Sequence, residues 1–276
     1  YGINNQRGRP SKIDSFEILN YAYQSGVRIL DTAEAYGVAH DIIGKFHKKY
    51  NKRFKIITKD KFSDGINEDL ENRLLNYCSL LSIDYLYGYM FHNYESLKVN
   101  NNYYLQLLEL RKKGIVQKIG ISLYNNNELL DVIENYNNFD FIQMPFNLLD
   151  NAMKRKEVFK KASLNNIKVF VRSVFLQGLF FMETNKISKQ FSTLKPYLES
   201  LNDLKKEFDI DTASIALKYV VEKDYINQVL IGVDSVDQLK LNLSILNNHH
   251  KIPHEKIDII DVKDDKLLNP VNWTNS

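Results

Sequence analysis

Short apolar runs alternate along the chain with longer amphipathic stretches, and this alternation constrains the fold more than any other feature. Seven runs rich in Val, Ile, Phe and Tyr begin roughly 30 residues apart, apart from one longer gap before the last. That spacing is the length of a strand plus a crossover helix. The predicted strands are residues 27–31, 55–59, 84–90, 116–122, 139–144, 168–173 and 227–232. Repeated strand and helix units predict a parallel sheet covered by helices.

The stretches between the runs have the pattern of helices that pack on such a sheet. In residues 67–81, one face carries Leu70, Leu74, Cys78 and Leu81, and we expect Glu68, Glu71, Asn72 and Arg73 to fall elsewhere. Cys78 is therefore predicted to be a small core residue. An amphipathic helix is expected at residues 15–24, before the first strand. The long gap before residue 227 has room for two helices, at residues 197–208 and 212–222.

Two α/β architectures fit many such units, an open doubly wound sheet and a closed (β/α)8 TIM barrel. The chain has neither the G-x-G-x-x-G fingerprint of the open sheet nor a G-x-x-x-x-G-K-[ST] phosphate loop. The barrel is therefore favoured. A barrel needs eight strands, and the sequence predicts seven. We expect residues 1–276 to form a single barrel domain that lacks its first strand, which belongs upstream of Tyr1, and that has two open sheet edges without it.

Composition excludes several classes of function. The 37 Lys and Arg residues nearly balance 34 Asp and Glu residues, and the net charge of +3 indicates neither a nucleic-acid nor a membrane-surface partner. The single cysteine allows no intramolecular disulfide and no cysteine-based metal cage, as expected in the cytoplasm. No apolar run reaches the roughly 18 residues of a membrane helix. No metal site is expected, because the adjacent His249 and His250 point apart.

Four polar residues stand at or just beyond the carboxyl ends of the first three predicted strands, where barrels carry their chemistry. Asp31 and Lys59 close the first two strands. His92 follows the third strand, and Tyr36 lies in the turn after the first. A tyrosine, with an ordinary pKa near 10, donates a proton poorly at neutral pH unless a cation stabilises its phenolate. Lys59 supplies that cation and Asp31 orients it, so the group is a candidate general acid with its support.

These positions lie within a series of motifs that resembles the aldo-keto reductases over essentially the whole chain. The motifs are residues 29–37 (ILDTAEAYG), 43–46 (IGKF), 57–59 (ITK), 90–92 (MFH), 118–122 (KIGIS), 141–149 (FIQMPFNLL), 172–179 (RSVFLQGL), 229–232 (VLIG) and 267–273 (LLNPVNW). Single motifs such as the isolated histidine are weak signals. Their common order and spacing make the resemblance specific.

The resemblance implies an NADPH- or NADH-dependent enzyme that reduces the aldehyde or ketone group of a small molecule. It implies that Tyr36 is the general acid, that Lys59 and Asp31 tune it, and that His92 orients the substrate. Ser122 and Gln143 are implied to place the nicotinamide. The other cofactor-binding residues that it implies are Arg172, Ser173, Phe175, Gln177, Gly178, Gly232, Asp234, Gln238 and Asn242. A likeness to bacterial members that accompany sugar-modifying enzymes suggests a polyhydroxylated, sugar-derived carbonyl substrate.

The chain departs from the family pattern at the cofactor positions. Leu123 follows Ser122 where many members have Asn. Arg172 replaces an aromatic side chain that commonly stacks on the nicotinamide, and its flat guanidinium is also able to stack. Gly232, Asp234 and Gln238 stand where NADPH-preferring members have basic residues around the 2′-phosphate. A carboxylate repels a phosphate and accepts a hydrogen bond from a ribose hydroxyl, so we expect NADH to be tolerated or preferred.

Two other functions fit parts of the sequence. A Schiff-base lyase on the same fold would use Lys59 as its nucleophile, although pairing with Asp31 keeps the amine protonated and counts against it. A catalytically weak relative would bind nucleotide in a sensing or scaffolding role.

Overall fold

Strands and helices alternate along the chain as the sequence predicts. The computed structural model describes residues 8–60, 69–99 and 101–273. Within these residues lie seven strands, β1 (Ile29–Asp31), β2 (Lys55–Asp60), β3 (Leu86–Phe91), β4 (Val116–Ser122), β5 (Phe141–Pro145), β6 (Lys168–Arg172) and β7 (Gln228–Val229). Every predicted run overlaps one of these strands, although β2, β3 and β5 each end one residue later than predicted, and the bounds of β4 agree with the prediction. The α/β class with parallel strands is confirmed.

Eleven α-helices lie before, between and after the strands in the described residues. They are α1 (Lys12–Gln24), α2 (Ala39–Tyr50), α3 (Leu70–Leu81), α4 (Tyr94–Val99), α5 (Asn101–Lys112), α6 (Asn126–Asn135), α7 (Ala152–Leu164), α8 (Lys195–Glu207), α9 (Thr212–Val221), α10 (Val236–Ile245) and α11 (His254–Asp258). The two helices expected in the long gap are α8 and α9. Helix α1 begins three residues before its predicted start, because Ser11 and Asp14 form a capping box there.

The chain forms two compact units. The first comprises the described residues of Pro10–Gln143 and Asn165–Lys168, and the second comprises those of Tyr1–Arg9, Met144–Leu164 and Val169–Ser276. Two predicted regions lie partly outside the described residues. They are residues 1–7, which follow the expected upstream strand, and residues 67–68 of the helix predicted at residues 67–81.

In the first unit, β1 to β5 follow one another in chain order as parallel neighbours. Asp31 pairs with Ile57, Lys59 with Met90, and Ser122 with Gln143. The carboxyl ends of these strands therefore all lie at the same end of the sheet, as in every parallel arrangement. The buried ring of Phe141 on β5 packs against Gly120 of the neighbouring strand β4. A Cβ on Gly120 would lie 2.3 Å from that ring, so glycine is required at this position of β4.

Helix α2 packs closely on α3 in the same unit. A Cβ on Gly44 would lie only 1.8 Å from the backbone oxygen of Leu80. One turn later, the buried His47 ring bonds through Nδ1 to the carbonyl of Leu81 at 2.7 Å, and its Nε2 accepts the Phe54 amide at 3.2 Å. The predicted stripe of α3 is buried, including Cys78, whose pKa is raised to about 11 by burial.

The prediction for Arg73 was wrong, because this side chain is buried on the face of α3 that carries the stripe. Arg73 follows Leu70 by three positions, which places the two side chains only about 60° apart around a helix of 3.6 residues per turn. The buried face is therefore wider than the four apolar residues suggested, and it also includes Tyr77.

In the second unit, the end of β5 is followed in strand order by β6 and β7. β6 and β7 are parallel, with Val171 opposite Val229. Helix α9 is buried along most of its length, and the ring of Tyr219 stacks on Phe146 with centroids 5.7 Å apart. The carboxyl end of β6 is Arg172, which leads into a run of turns before α8. No helix in the described residues is long and apolar enough to cross a lipid bilayer.

Candidate active site

An ion pair at the ends of β1 and β2 is the centre of the candidate site. Lys59 Nζ lies 2.6 Å from Asp31 Oδ2, and the two side chains are only 4% and 15% exposed. The sequence separates them by 28 positions, and the parallel pairing of β1 with β2 brings them together. Because the pair is largely shielded from water, each charge depends on the other for its stabilisation.

Tyr36 lies beside this pair. Its ring centroid is 5.3 Å from Lys59 Nζ, within the range of a cation–π contact. The residue is 45% exposed, so one part of the side chain meets the ammonium while another meets solvent. The Tyr36 amide donates to the Ala33 carbonyl at 3.0 Å, and the Tyr36 carbonyl accepts from the Ala39 amide at 3.2 Å. Both backbone groups are thus used to form the turn between β1 and α2.

Gln143 extends the group to β5. Its Nε2 donates to Asp31 Oδ1 at 3.2 Å, so the two carboxylate oxygens of Asp31 have different partners, an amide and an ammonium. Ser122 pairs directly with Gln143 in the sheet, and both residues are almost completely buried. A hydroxyl and an amide therefore adjoin at the carboxyl ends of β4 and β5. This donor and acceptor set matches the requirements of a carboxamide.

His92 follows the last residue of β3 and is partly buried. β2 and β3 pair Lys59 with Met90, so the histidine lies two residues beyond the partner of the lysine in the adjacent strand. Register thus places His92 on the same rim of the first unit as Asp31, Tyr36 and Lys59.

His40 and Thr58 form a contact in this region that the sequence analysis missed. His40 Nε2 lies 2.9 Å from Thr58 Oγ1, and both residues are buried. Burial lowers the pKa of His40, and the negative charge of Glu34 opposes this effect. The signal in the sequence is a helix face formed by His40, Ile43, Gly44 and His47. This i, i+3, i+4, i+7 spacing marks one side of a helix.

The aromatic and amide residues at and beyond the ends of β3 and β4 have contacts within the protein. The Phe91 ring is fully buried and contacts Phe139 with centroids 6.3 Å apart. Asn93 Oδ1 accepts the Ser96 amide at 2.8 Å, and Asn125 forms a capping box with Glu128 at the start of α6. Tyr94 packs against Lys98, with Nζ 5.4 Å from the ring centroid.

In the second unit, the segment after β6 has an unusual backbone. Ser173, Leu176, Gln177 and Gly178 all have positive φ angles, of 62°, 44°, 51° and 91°. Three of these residues are not glycine, and such strain is concentrated at functional sites in proteins. The Asn147 side chain donates to the Ser173 carbonyl at 3.2 Å, which stabilises the first of these conformations. Arg172 immediately precedes the segment, and Phe175 contacts the ring of Phe181 at 5.6 Å.

The beginning of α10 contains the other predicted cofactor residues of the second unit. Ser235 caps the helix by accepting the Gln238 amide at 3.2 Å. The Gln238 side-chain oxygen accepts the Asp234 amide at 2.7 Å, so this oxygen is engaged within the protein. Residues 232–242 contain one basic residue, Lys240, whose ammonium is 3.7 Å from Asp237. Asn242 is buried on the helix. Acidic residues therefore outnumber basic ones in the segment where the family resemblance predicts the adenosine ribose of the cofactor.

The chain is similar to known proteins along most of its length. The Aldo/keto reductase family model matches residues 1–265. The aldo-keto reductase YhdN of Bacillus subtilis (strain 168) is 24% identical over 293 residues, which cover 93% of this chain and 86% of that protein. A putative aryl-alcohol dehydrogenase of Schizosaccharomyces pombe is 25% identical over 281 residues, which cover 82% of this chain and 78% of that protein.

Among solved structures, the aldo-keto reductase AKR11C1 from Bacillus halodurans, in its holo form, has a TM-score of 0.70 and 20% sequence identity. The match covers 91% of this chain and 88% of that chain. This likeness, together with the family match, confirms the predicted (β/α)8-barrel class.

Proposed function

Because the chain belongs to the aldo/keto reductase family and is an NAD(P)H-dependent oxidoreductase, we propose that Tyr36 is the proton donor of its carbonyl reduction. The observation that carries this proposal is the position of the Lys59 ammonium, 5.3 Å from the Tyr36 ring and 2.6 Å from Asp31. A nearby cation favours the phenolate that remains after proton transfer. The half-exposed position of Tyr36 also allows the phenolate to regain its proton from water.

The supporting roles follow from the same geometry. Asp31 pairs with the Lys59 ammonium and fixes its direction, and Gln143 fixes Asp31 in turn. This charge pairing also argues against a Schiff-base role for Lys59, because an amine must lose its proton before it attacks a carbonyl. We assign to His92 the orientation of the substrate oxygen, on the basis of its place on the rim.

The cofactor is proposed to be NADPH or NADH, which supplies the hydride when bound. Ser122 and Gln143 have the buried hydroxyl and amide groups that suit its carboxamide. In the second unit, we assign the ring contact to Arg172 and the phosphates to the strained segment with Ser173, Phe175, Gln177 and Gly178. The positive φ angles at non-glycine residues support this assignment, because such conformations are concentrated at functional sites. The adenosine end is assigned to Gly232, Asp234, Gln238 and Asn242.

The substrate is proposed to be the aldehyde or ketone form of a small polyhydroxylated compound. Two relatives are named as putative aryl-alcohol dehydrogenases, so aromatic aldehydes are the alternative substrates to compare with it. The single family match supports the proposal that both compact units belong to one domain. We place the enzyme in the cytoplasm on the basis of its single, buried cysteine.

The test is the Tyr36→Phe variant, assayed with both reduced cofactors and a panel of sugar-derived and aromatic aldehydes. We expect kcat to fall by about 10²- to 10⁴-fold, the usual contribution of a general acid. The cofactor dissociation constant should stay within about twofold, since the hydroxyl is not assigned to cofactor binding.

Tyr85→Phe is the matched control, because Tyr85 is similarly exposed and lies at the amino end of β3, away from the carboxyl ends of the strands. This control should retain full activity. Equal turnover in Tyr36→Phe and the unaltered protein would contradict the role of Tyr36. Tight cofactor binding without reduction of any carbonyl in the panel would instead favour the sensing or scaffolding function.

A further inference from the structure

The loop that carries Tyr36 is tied to β2 on its upstream side. The Thr32 amide donates to the Ile57 carbonyl at 2.9 Å, and the Glu34 amide donates to the Lys59 carbonyl at 3.1 Å. The chain therefore continues alongside β2 after β1 has ended, and it leaves that strand only at the turn with Tyr36. Two backbone hydrogen bonds fix this side of the loop.

The downstream side of the loop is bonded to β2 at Thr58, between the two residues that hold the upstream side. His40, the second residue of α2, bonds through Nε2 to Thr58 Oγ1 at 2.9 Å. Thr58 lies between Ile57 and Lys59, and its side chain points to the opposite face of the strand from Lys59. Tyr36 is thus near the middle of a loop whose two ends are fixed on β2, the strand that positions the lysine.

We propose that His40 and Thr58 are positioning residues, which hold the turn of Tyr36 so that its ring stays over the Lys59 ammonium. This inference rests on the proposed function of Tyr36 as proton donor. Neither residue touches the reacting groups. Their effect passes through the first turn of α2, where the Ala39 amide donates to the Tyr36 carbonyl.

The start of α2 has no side-chain cap. Its N-cap residue, Val38, makes no side-chain cap hydrogen bond and is itself exposed. The His40 ring also contacts Tyr77 of α3, with ring centroids 5.1 Å apart. The other end of the helix is fixed by His47, through Leu81 and Phe54. Loss of the His40 bond therefore loosens the end of α2 nearest Tyr36 and leaves the far end in place.

The variants follow from this geometry. Thr58→Val keeps the shape of the side chain and removes the hydroxyl, whereas Thr58→Ser keeps the hydroxyl. His40→Ala removes the ring from the other side of the same bond. His47→Ala is the matched control, since it removes a second buried imidazole from the same face of α2 without touching the Tyr36 turn.

The first measurement is kinetic. In Thr58→Val and His40→Ala we expect kcat to fall by about 10- to 100-fold, as misplacement of a reacting group does. The KM for cofactor should stay within about twofold. Thr58→Ser should restore kcat, and His47→Ala should keep it while lowering the melting temperature.

The second measurement needs neither cofactor nor turnover. In protein labelled with ¹³C at the tyrosine ring, the Tyr36 signal is identified by its loss in Tyr36→Phe. At neutral pH, this signal should move in Thr58→Val and His40→Ala and stay unchanged in Thr58→Ser and His47→Ala. Since only the local surroundings of Tyr36 are observed, a general loss of stability does not produce this pattern.

The outcomes separate the two proposals. If folded Thr58→Val has normal kcat and an unmoved Tyr36 signal, the positioning role is wrong. The same conclusion follows if His47→Ala changes both measurements as strongly as His40→Ala. If the unaltered protein reduces no carbonyl but the Tyr36 signal moves as expected, the structural coupling stands and the proposed function fails.

Discussion

At the scale of single residues, Asp31–Lys59 is one of the buried ion pairs of the described residues, as is Arg155–Asp150, whose side chains are 10% and 1% exposed. Most of the others are well exposed, such as Lys112 with Glu109, whose side chains are 72% and 63% exposed. Exposed pairs contribute little to stability because water already solvates both charges. At 4% and 15% exposure, Lys59 and Asp31 have lost most of that solvation. Removal of one partner therefore leaves a poorly solvated charge behind.

We expect Lys59→Met to lower the free energy of unfolding by about 3 to 5 kcal/mol, because the Asp31 carboxylate loses its ammonium and stays buried. The same variant should have no measurable reductase activity. Urea denaturation at neutral pH measures the first effect. Lys112→Met removes an exposed lysine from a pair of similar length and should leave the midpoint almost unchanged. A Lys59→Met protein as stable as this control would contradict the prediction, because the buried Asp31 carboxylate would then cost no stability without its ammonium.

Asp234 leads to a prediction about the cofactor. A carboxylate at this position repels a 2′-phosphate and accepts a hydrogen bond from a 2′-hydroxyl. We expect NADH to bind at least as tightly as NADPH, and we expect Asp234→Arg to shift the preference towards NADPH. Dissociation constants from quenching of intrinsic fluorescence test both expectations. A preference of the unaltered protein for NADPH of about tenfold or more, or 1.4 kcal/mol, would contradict this assignment.

At the scale of elements, the contact of α2 with α3 depends on the absence of a side chain at Gly44. Glycine in a helix costs about 1 kcal/mol relative to alanine, so Gly44→Ala should stabilise an isolated helix. Here the new Cβ would lie 1.8 Å from the Leu80 carbonyl oxygen, which belongs to the backbone of α3. We therefore expect a net loss of stability of about 1 to 3 kcal/mol, as in other overpacked contacts.

Thermal unfolding of Gly44→Ala measures this effect. Lys48→Ala, at an exposed position of the same helix, changes helix propensity without changing the contact with α3. It should leave the melting temperature close to that of the unaltered protein. A raised melting temperature in Gly44→Ala would contradict the prediction, because α2 and α3 would then move apart without loss of stability.

The sequence predicts the elements well and their contacts less well. Apolar runs and motif order locate all seven described strands and the positions of Asp31, Tyr36, Lys59 and His92. Hydrogen bonding sets the limits of β7, which has only the two residues Gln228–Val229 although six were predicted. The apolar face of α2 marks His40 as buried, but its spacing does not identify Thr58 as the partner, because the bond joins a helix to a strand 18 residues away. Burial of Arg73 was likewise missed, since the identity of a residue suggested exposure and its helical position decided otherwise.

At the scale of the whole molecule, the family match extends over residues 1–265, although the relatives reported above are only 24% to 25% identical. Most side chains of the chain therefore differ from those of the relatives, and the order of strands and helices is retained. A fold of this kind supports many activities through the residues at its strand ends. Other properties, such as the pH dependence of stability, come from single side chains, among them the buried His40 and His47.

These two buried histidines make the stability of the molecule depend on pH. The Nδ1 of His47 must carry the proton, since it bonds to a carbonyl, and Nε2 must accept the Phe54 amide, so the ring fits only when neutral. Burial lowers the pKa of His47, and burial also lowers the pKa of His40. In the unfolded chain both rings have the ordinary value of about 6.5. Below this pH the unfolded state binds more protons than the folded state.

We therefore expect the free energy of unfolding to be fully maintained above about pH 6.5 and to fall as the pH decreases below it. Urea denaturation at several values between about pH 7.5 and pH 5 measures the slope in the range where histidines titrate. His47→Gln is the informative variant, because a glutamine amide offers both a donor and an acceptor and does not titrate. Its stability should be lower than that of the unaltered protein at neutral pH but should depend less on pH. An equal slope in both proteins would show that His47 titrates normally in the folded state, which contradicts its two hydrogen bonds and its burial.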